Sequence, residues 1–168
     1  MALQRIPILG WASVPDGSGD VFLEPYDVKA TNDVWKRLVW IFNDTSTRIG
    51  LRGGFEVPEA YVGAPKIIIR WTSTATAGDV AWDFDYRAVG GDDVESLDHA
   101  SVQESVNVAD SAASAAHERL VAELPLTAGN LAKGDSVSFE LFRDGSDIGD
   151  TMAAAALVFD VLFEFSDA

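Results

Sequence analysis

The chain has 168 residues, enough for one domain with a real core, and 48% of them are hydrophobic, including five Trp and nine Phe. Its 12 basic and 27 acidic side chains give a net charge of −15, which excludes a basic phosphate-binding surface and so nucleic acid as a direct partner. No cysteine is present, excluding disulfides and thiolate zinc sites; no apolar run reaches the ~18 residues of a membrane helix, so no membrane partner is expected.

The N-terminal MALQRIPILGWASVP carries an apolar stretch broken by Pro7 and Gly10, so no signal peptide is expected there. Through residue 33 the chain is irregular, punctuated by Pro7, Pro15, Gly17, Gly19 and Pro25. This predicts an extended arm over residues 1–33 that adds an edge strand and lies either on its own domain or on a neighbouring subunit. Trp11, in this arm, is a candidate anchor for a partner's pocket.

From Val34 the rhythm becomes that of strands. Val34 to Phe42 is dense in aromatic and β-branched residues, with large apolar groups on both faces: Val34, Leu38, Trp40 and Phe42 on one, Trp35, Val39 and Ile41 on the other. A strand apolar on both faces is covered on both sides, here by the arm or by an intermolecular contact. Gly50 to Val57 follows, with a Gly53-Gly54 pair that predicts a bulge or bend. Lys66 to Ser73 buries Ile67, Ile69 and Trp71, and Asp79 to Val89 buries Val80, Trp82, Phe84 and Tyr86 while exposing Asp83, Asp85 and Arg87. The short connection Thr74 to Gly78 predicts antiparallel neighbours.

After an acidic connection, Gly90 to Ala100, come strands at Val102 to Val108 and Arg119 to Leu126, separated by a small-residue loop from Asp110 to Ala116. The last two strands are the clearest. Ser136 to Arg143 sets Val137, Phe139 and Leu141 on one face. Leu157 to Phe165 sets Leu157, Phe159, Val161, Phe163 and Phe165 on one face, with Asp160 and Glu164 on the solvated one. An acidic turn joins them, and the Ala-rich Met152 to Ala156 is the second strand's lead-in. The sum is an all-β fold: a single jelly-roll sandwich of about eight antiparallel strands over residues 34–168, behind the extended N-terminal arm.

Charge is lopsided along the chain. Residues 1–84 carry 8 basic and 10 acidic side chains, a net of −2, and residues 85–168 carry 4 and 17, a net of −13. The acidity reads as a solvated surface that keeps a concentrated protein soluble, or as an acidic side opposite a less charged docking side. Asp144, Asp147 and Asp150 recur in the final turn, where a hard cation would find carboxylate oxygens. Their spacing is not an EF-hand loop, and a solvated turn with Asx-type capping explains them better, so no metal site is assigned. Asp83 and Asp85 share a strand face about 7 Å apart, a pairing that glycoside hydrolysis uses, but their alternation with core aromatics marks an exposed charged face. His99 and His117 lie in polar loops, and no GxSxG, HExxH or phosphate-binding loop occurs. No catalysis and no cofactor are expected. Trp35, Trp40, Trp71 and Trp82 occupy buried-looking strand positions, which leaves a weak case for a sugar-stacking platform.

The pairing of IIIRWTSTATAGDVAWDFDYR, Ile67 to Arg87, with GDSVSFELFRDGSDIGDTMAAAALVFDVLFEFSD, Gly134 to Asp167, resembles small jelly-roll virion structural proteins of tailed bacteriophages, over roughly residues 34–167. The resemblance implies a homotrimeric capsid decoration (cement) protein on the outer surface of the virion head, bound to the major capsid protein. On that expectation Lys36, Arg37, Arg48 and Arg52 are candidates to complement an acidic shell, together with Trp11. The alternative it implies is a tail-fibre or receptor-binding module that recognises host surface glycans.

Overall fold

The computed structural model describes residues 2–8, 12–14, 21–27, 35–90 and 94–167. Trp11 lies outside them. Eleven strands run through the described residues: β1 (Leu3–Pro7), β2 (Ala12–Val14), β3 (Phe22–Asp27), β4 (Lys36–Phe42), β5 (Arg48–Glu56), β6 (Gly63–Thr72), β7 (Asp79–Val89), β8 (Glu104–Ser111), β9 (Leu120–Pro125), β10 (Ser136–Asp144) and β11 (Ala156–Ser166). One 3₁₀ turn, Ala128–Asn130, precedes β10. The strands form two antiparallel sheets. Sheet A has the order β3-β4-β11-β6-β9, with β1 also paired to β11, and sheet B has the order β2-β5-β10-β7-β8. The fold is an all-β sandwich of the jelly-roll kind. The eight strands from β4 onward lie where the period-two pattern puts them, and the segment before them adds β1 and β3 to sheet A and β2 to sheet B.

Between the sheets lies one apolar core. Ile67, Ile69 and Trp71 of β6 and Val161, Phe163 and Phe165 of β11 face Val80, Trp82 and Phe84 of β7 and Val137, Phe139 and Leu141 of β10. Trp71 and Trp82 meet edge to face across the gap, their centroids 5.9 Å apart. That contact corrects an expectation: β6 and β7 are not paired neighbours but belong to opposite sheets, and the same holds for β10 and β11. Sheets in a sandwich lie about 10 Å apart, a gap that a few residues span as readily as they close a hairpin. At Gly78 the crossing chain takes a φ of +90°, and an added Cβ would stand 2.7 Å from the Cα of Met152. Only glycine fits there.

Bulges are the second correction. No bulge occurs at Gly53–Gly54, where β5 and β10 keep continuous register. Gly54 instead admits a close neighbour: a Cβ there would lie 2.8 Å from the Val137 carbonyl oxygen. The irregularities fall in β11, between Val158 and Asp160 and between Glu164 and Ser166. The first one splits the row expected on one face. Val161, Phe163 and Phe165 enter the main core with Ala156 and Val158, whereas Leu157 and Phe159 turn outward onto Val39. An extra residue in one strand shifts the alternation by one.

Charged residues expected in solvent are partly buried as well. Glu164 is fully buried, because β1 lies along β11 and sets Arg5 opposite it. Arg5 and Lys66 both bind its carboxylate. Burial pushes that carboxyl up, but the hydrogen bonds and charges of Lys66 and Arg5 outweigh it and hold the group below the ordinary carboxylate range.

Arg143 is fully buried at one end of the sandwich. Its Nε and one terminal nitrogen donate to the two carboxylate oxygens of Asp150 at 2.9 and 2.7 Å. The remaining donors reach the carbonyl oxygens of Met152 (2.6 Å), Ala154 (2.7 Å) and Phe42 (3.4 Å). One guanidinium on sheet B thus holds the chain that leads into β11 and touches β4 of sheet A. Replacing it with an apolar residue strands the buried Asp150 carboxylate, a loss of about 3–5 kcal/mol for a buried pair. Arg143→Met should lower stability in urea unfolding by at least about 3 kcal/mol, and the double variant Arg143→Met/Asp150→Leu should recover part of it. A single variant as stable as the parent would show that the pair holds nothing together.

Candidate functional site

The outer face of sheet A carries the most built site. Because Trp40 and Phe42 of β4 point into the core, alternation turns Trp35, Arg37, Val39 and Ile41 outward. On β6, with Ile69 and Trp71 inward, Arg70 and Thr72 face out. The bulge after Val158 brings Phe159 and Asp160, consecutive in sequence, to this same face. Together with His117 and Arg119, just before β9, these side chains line a pocket of about 420 Å³.

Its interior is organised. The Trp35 ring meets Phe159 edge to face at 5.5 Å and remains 40% exposed. The Arg37 guanidinium lies over the Phe159 ring at 5.6 Å and donates to Asp160 at 2.7 Å. Arg70 donates to the other oxygen of the same carboxylate at 3.4 Å. Asp160 therefore fixes two guanidiniums on either side of it. Arg119 is exposed and forms no ion pair or side-chain hydrogen bond among the described residues. His117 takes a φ of +66° where its amide donates to the Ser73 carbonyl, and that turn places it at the pocket's rim.

The outer face of sheet B is the second concave surface. Arg48 donates to Asp83 and to Asp85, both at 2.9 Å, and its guanidinium stacks over Phe142 at 4.0 Å. Asn107 donates to Asp83 at 2.5 Å and Ser105 donates to Asp85. Asp83, expected in solvent, is buried beneath these partners. Burial raises its carboxyl above the ordinary range despite the opposing pull of Asn107 and Arg48. Beside the network is a groove of about 370 Å³ along Arg52, Asp85, Arg87, Ser138 and Glu140. The aromatic residues beneath it, Tyr86 and Phe139, are buried, so no ring faces a ligand there.

The residues named from the sequence are dispersed by the fold. Lys36 and Arg37 sit on β4 in sheet A, Arg48 and Arg52 on β5 in sheet B. Arg37, Arg48 and Arg52 each face a carboxylate of their own chain, with Arg52 3.5 Å from Glu140. Asp144 and Asp147 accept hydrogen bonds within their own turn, from Ser146 and from Gly149, and Asp150 is taken by Arg143. Among the described residues no group of three or more His, Asp or Glu is arranged to hold a metal ion. Of the sequence candidates among the described residues, Arg37 enters the sheet A pocket. Trp35, expected to be buried, is its exposed ring, and Arg70, Arg119, Phe159 and Asp160 were not singled out as binding groups.

Arg48 offsets two neighbouring carboxylates, and removing it leaves Asp83 buried and uncompensated. Arg48→Met should cost about 1–3 kcal/mol at pH 7, less than a fully buried pair because Arg48 stays one-third exposed. Asp83 already titrates above its unfolded value, so its charge opposes folding at neutral pH and that opposition disappears as pH falls through its folded pKa. The difference between parent and variant should shrink toward pH 4; urea unfolding at both pH values tests it, and a pH-independent difference contradicts it.

No protein-family model matches the sequence and no curated protein is found to be similar to it. Solved structures are similar in fold. The CBM22-1 xylan-binding domain of Paenibacillus barcinonensis Xyn10C superposes with a TM-score of 0.50 at 14% identity, over 95% of this chain and 87% of that one. A family 11 carbohydrate-binding module from Clostridium thermocellum, solved with a β-1,3-1,4-mixed-linked tetrasaccharide, gives 0.45 at 11% identity, over 97% and 96%. The TmCBM27 module, whose recognition of mannan is described, gives 0.39 at 6% identity, over 99% of each chain. The first likeness speaks to the fold alone, and the other two fall below the level at which they carry weight. The expectation of a capsid decoration protein is corrected here: a solved structure that shares this fold at a TM-score of 0.50 is a xylan-binding domain.

Proposed function

We propose that this chain is a carbohydrate-binding domain that holds a glycan on the outer face of sheet A without acting on it chemically. The observation that carries the reading is the pocket around Trp35. A sugar presents apolar C–H faces and a rim of hydroxyls. It therefore needs an aromatic surface beside fixed donors and acceptors. Trp35 supplies the surface. Asp160, Arg37 and Arg70 supply a carboxylate and guanidinium N–H groups already held in place by one another, so little freedom is lost when a hydroxyl replaces water. The xylan-binding domain with the same overall fold supports the same reading. The paired carboxylates that hydrolysis would require are bound by Arg48, Asn107 and Ser105 on the other sheet.

Affinity electrophoresis against soluble xylan, mixed-linked β-glucan, mannan and polygalacturonate should show retardation by at least one of them. Trp35→Ala should weaken that binding by roughly 30-fold, the scale of an interface hot spot of about 2 kcal/mol, and leave the thermal midpoint within a few degrees. Trp35→Phe should retain part of the affinity. If no glycan retards the protein, or if Trp35→Ala binds like the parent, the reading fails.

A further inference from the structure

On the reading that the sheet A pocket binds a glycan, we propose that the sugar it accepts is acidic, a uronic acid whose carboxylate is received by Arg119. The chain carries a net charge of −15, yet this pocket has the opposite balance. Arg37, Arg70 and Arg119 line it together with a single carboxylate, Asp160, which leaves a local excess of two positive charges. Among the described ion pairs outside it, cations are matched or outnumbered: Arg48 faces Asp83, Asp85 and Asp144, Arg52 faces Glu140, and Lys66 faces Glu123 and Glu164.

Within the pocket the three guanidiniums differ. Arg37 and Arg70 are already shared with Asp160, and that arrangement displays what the site holds, a carboxylate between planar forks of N–H donors. Arg119, with no ion pair among the described residues, has its fork unused. Guanidinium binds carboxylate through two parallel hydrogen bonds, and such charge-assisted bonds are about twice as strong as neutral ones. A pyranose stacked on Trp35 would carry its C6 carboxylate at the ring's edge, within the same pocket as Arg119. The acidic remainder of the surface repels polyanions, so binding rests on this one pocket and favours a short acidic segment over a long uninterrupted polyanion.

The test is calorimetric titration of the full chain with trigalacturonate, with its methyl ester and with neutral xylotriose. The acid should bind best. Arg119→Ala should weaken the acid by about tenfold, the scale of a charge-assisted pair, and the methyl ester by less than twofold. Arg119→Lys, which keeps the charge and loses the fork, should fall between. Because Arg119 is exposed, circular dichroism of these variants should match the parent. If the ester or xylotriose binds as well as the acid, or if Arg119→Ala weakens all three equally, the acidic preference is overturned while glycan binding stands. If no sugar binds, here or in the polysaccharide screen, the glycan reading falls and this inference with it.

Discussion

Burying a guanidinium is costly unless nearly every donor finds an acceptor, and Arg143 meets that condition at the junction of the two sheets. It leaves β10 pointing into the core, binds Asp150 through both carboxylate oxygens, and donates to the Met152 and Ala154 carbonyls that lead into β11. The turn between β10 and β11 has to cross from sheet B to sheet A, and these bonds fix where it lands. Gly145 admits the close approach of the Thr45 carbonyl on the same turn, and Gly78 lets the other crossing pass Met152. From that anchored start β11 pairs first with β4 and then bulges. The pocket on the outer face lies just beyond the bulge, so its geometry descends from an ion pair on the far side of the sheet.

The bulge itself turns two consecutive side chains of β11 to one face. Without it, Phe159 and Asp160 would face opposite ways, one to the core and one to water. With it, both stand on the outer face, where Phe159 backs Trp35 and Asp160 gathers Arg37 and Arg70. A stacking surface and a polar clamp come from adjacent residues at the small cost of one unpaired position in the ladder. Because Arg70 is directly opposite Asp160 in the β6–β11 register, the clamp is set by strand pairing rather than by a loop. Sites on paired strands hold their geometry more closely than sites on loops.

Much of the fold is legible in the sequence because period-two alternation survives in β6, β7 and β10, where one face packs on the core and the other meets solvent. Trp71, Trp82 and Leu141 are buried as that pattern requires. What is not legible has a common cause: alternation reports a face, not what covers it. It marks Glu164 and Asp83 as solvated, yet β1 lies along one and Arg48 and Asn107 cover the other. Nor does it reveal strand pairing, since a short link serves equally for a hairpin and for a crossing between sheets. The uninterrupted apolar row from Leu157 to Phe165 conceals the bulge completely, and with it the pocket. Trp35 is similar to Trp40 in sequence setting, five residues before it on the same strand run. It stands on the outward face, where Phe159 packs edge to face against it and its ring stays partly exposed.

Charge has the same lesson at a larger scale. The C-terminal half carries a net of −13, and on average it repels any anion. Averages do not govern a concave site, because screening limits each surface charge to roughly 8 Å at physiological ionic strength, while groups sharing a pocket interact through lower-dielectric surroundings. Of the four basic residues in that half, Arg143 is consumed by the core and Arg119 stands on the pocket. The three arginines of the pocket come from both halves of the sequence, Arg37 and Arg70 from the nearly neutral one and Arg119 from the acidic one, and antiparallel pairing of β11 with β4 and β6, and of β6 with β9, brings them side by side. A positive site in an acidic protein is therefore a product of topology. The acidic surface and the positive pocket need not oppose one another, because each acts over a different distance.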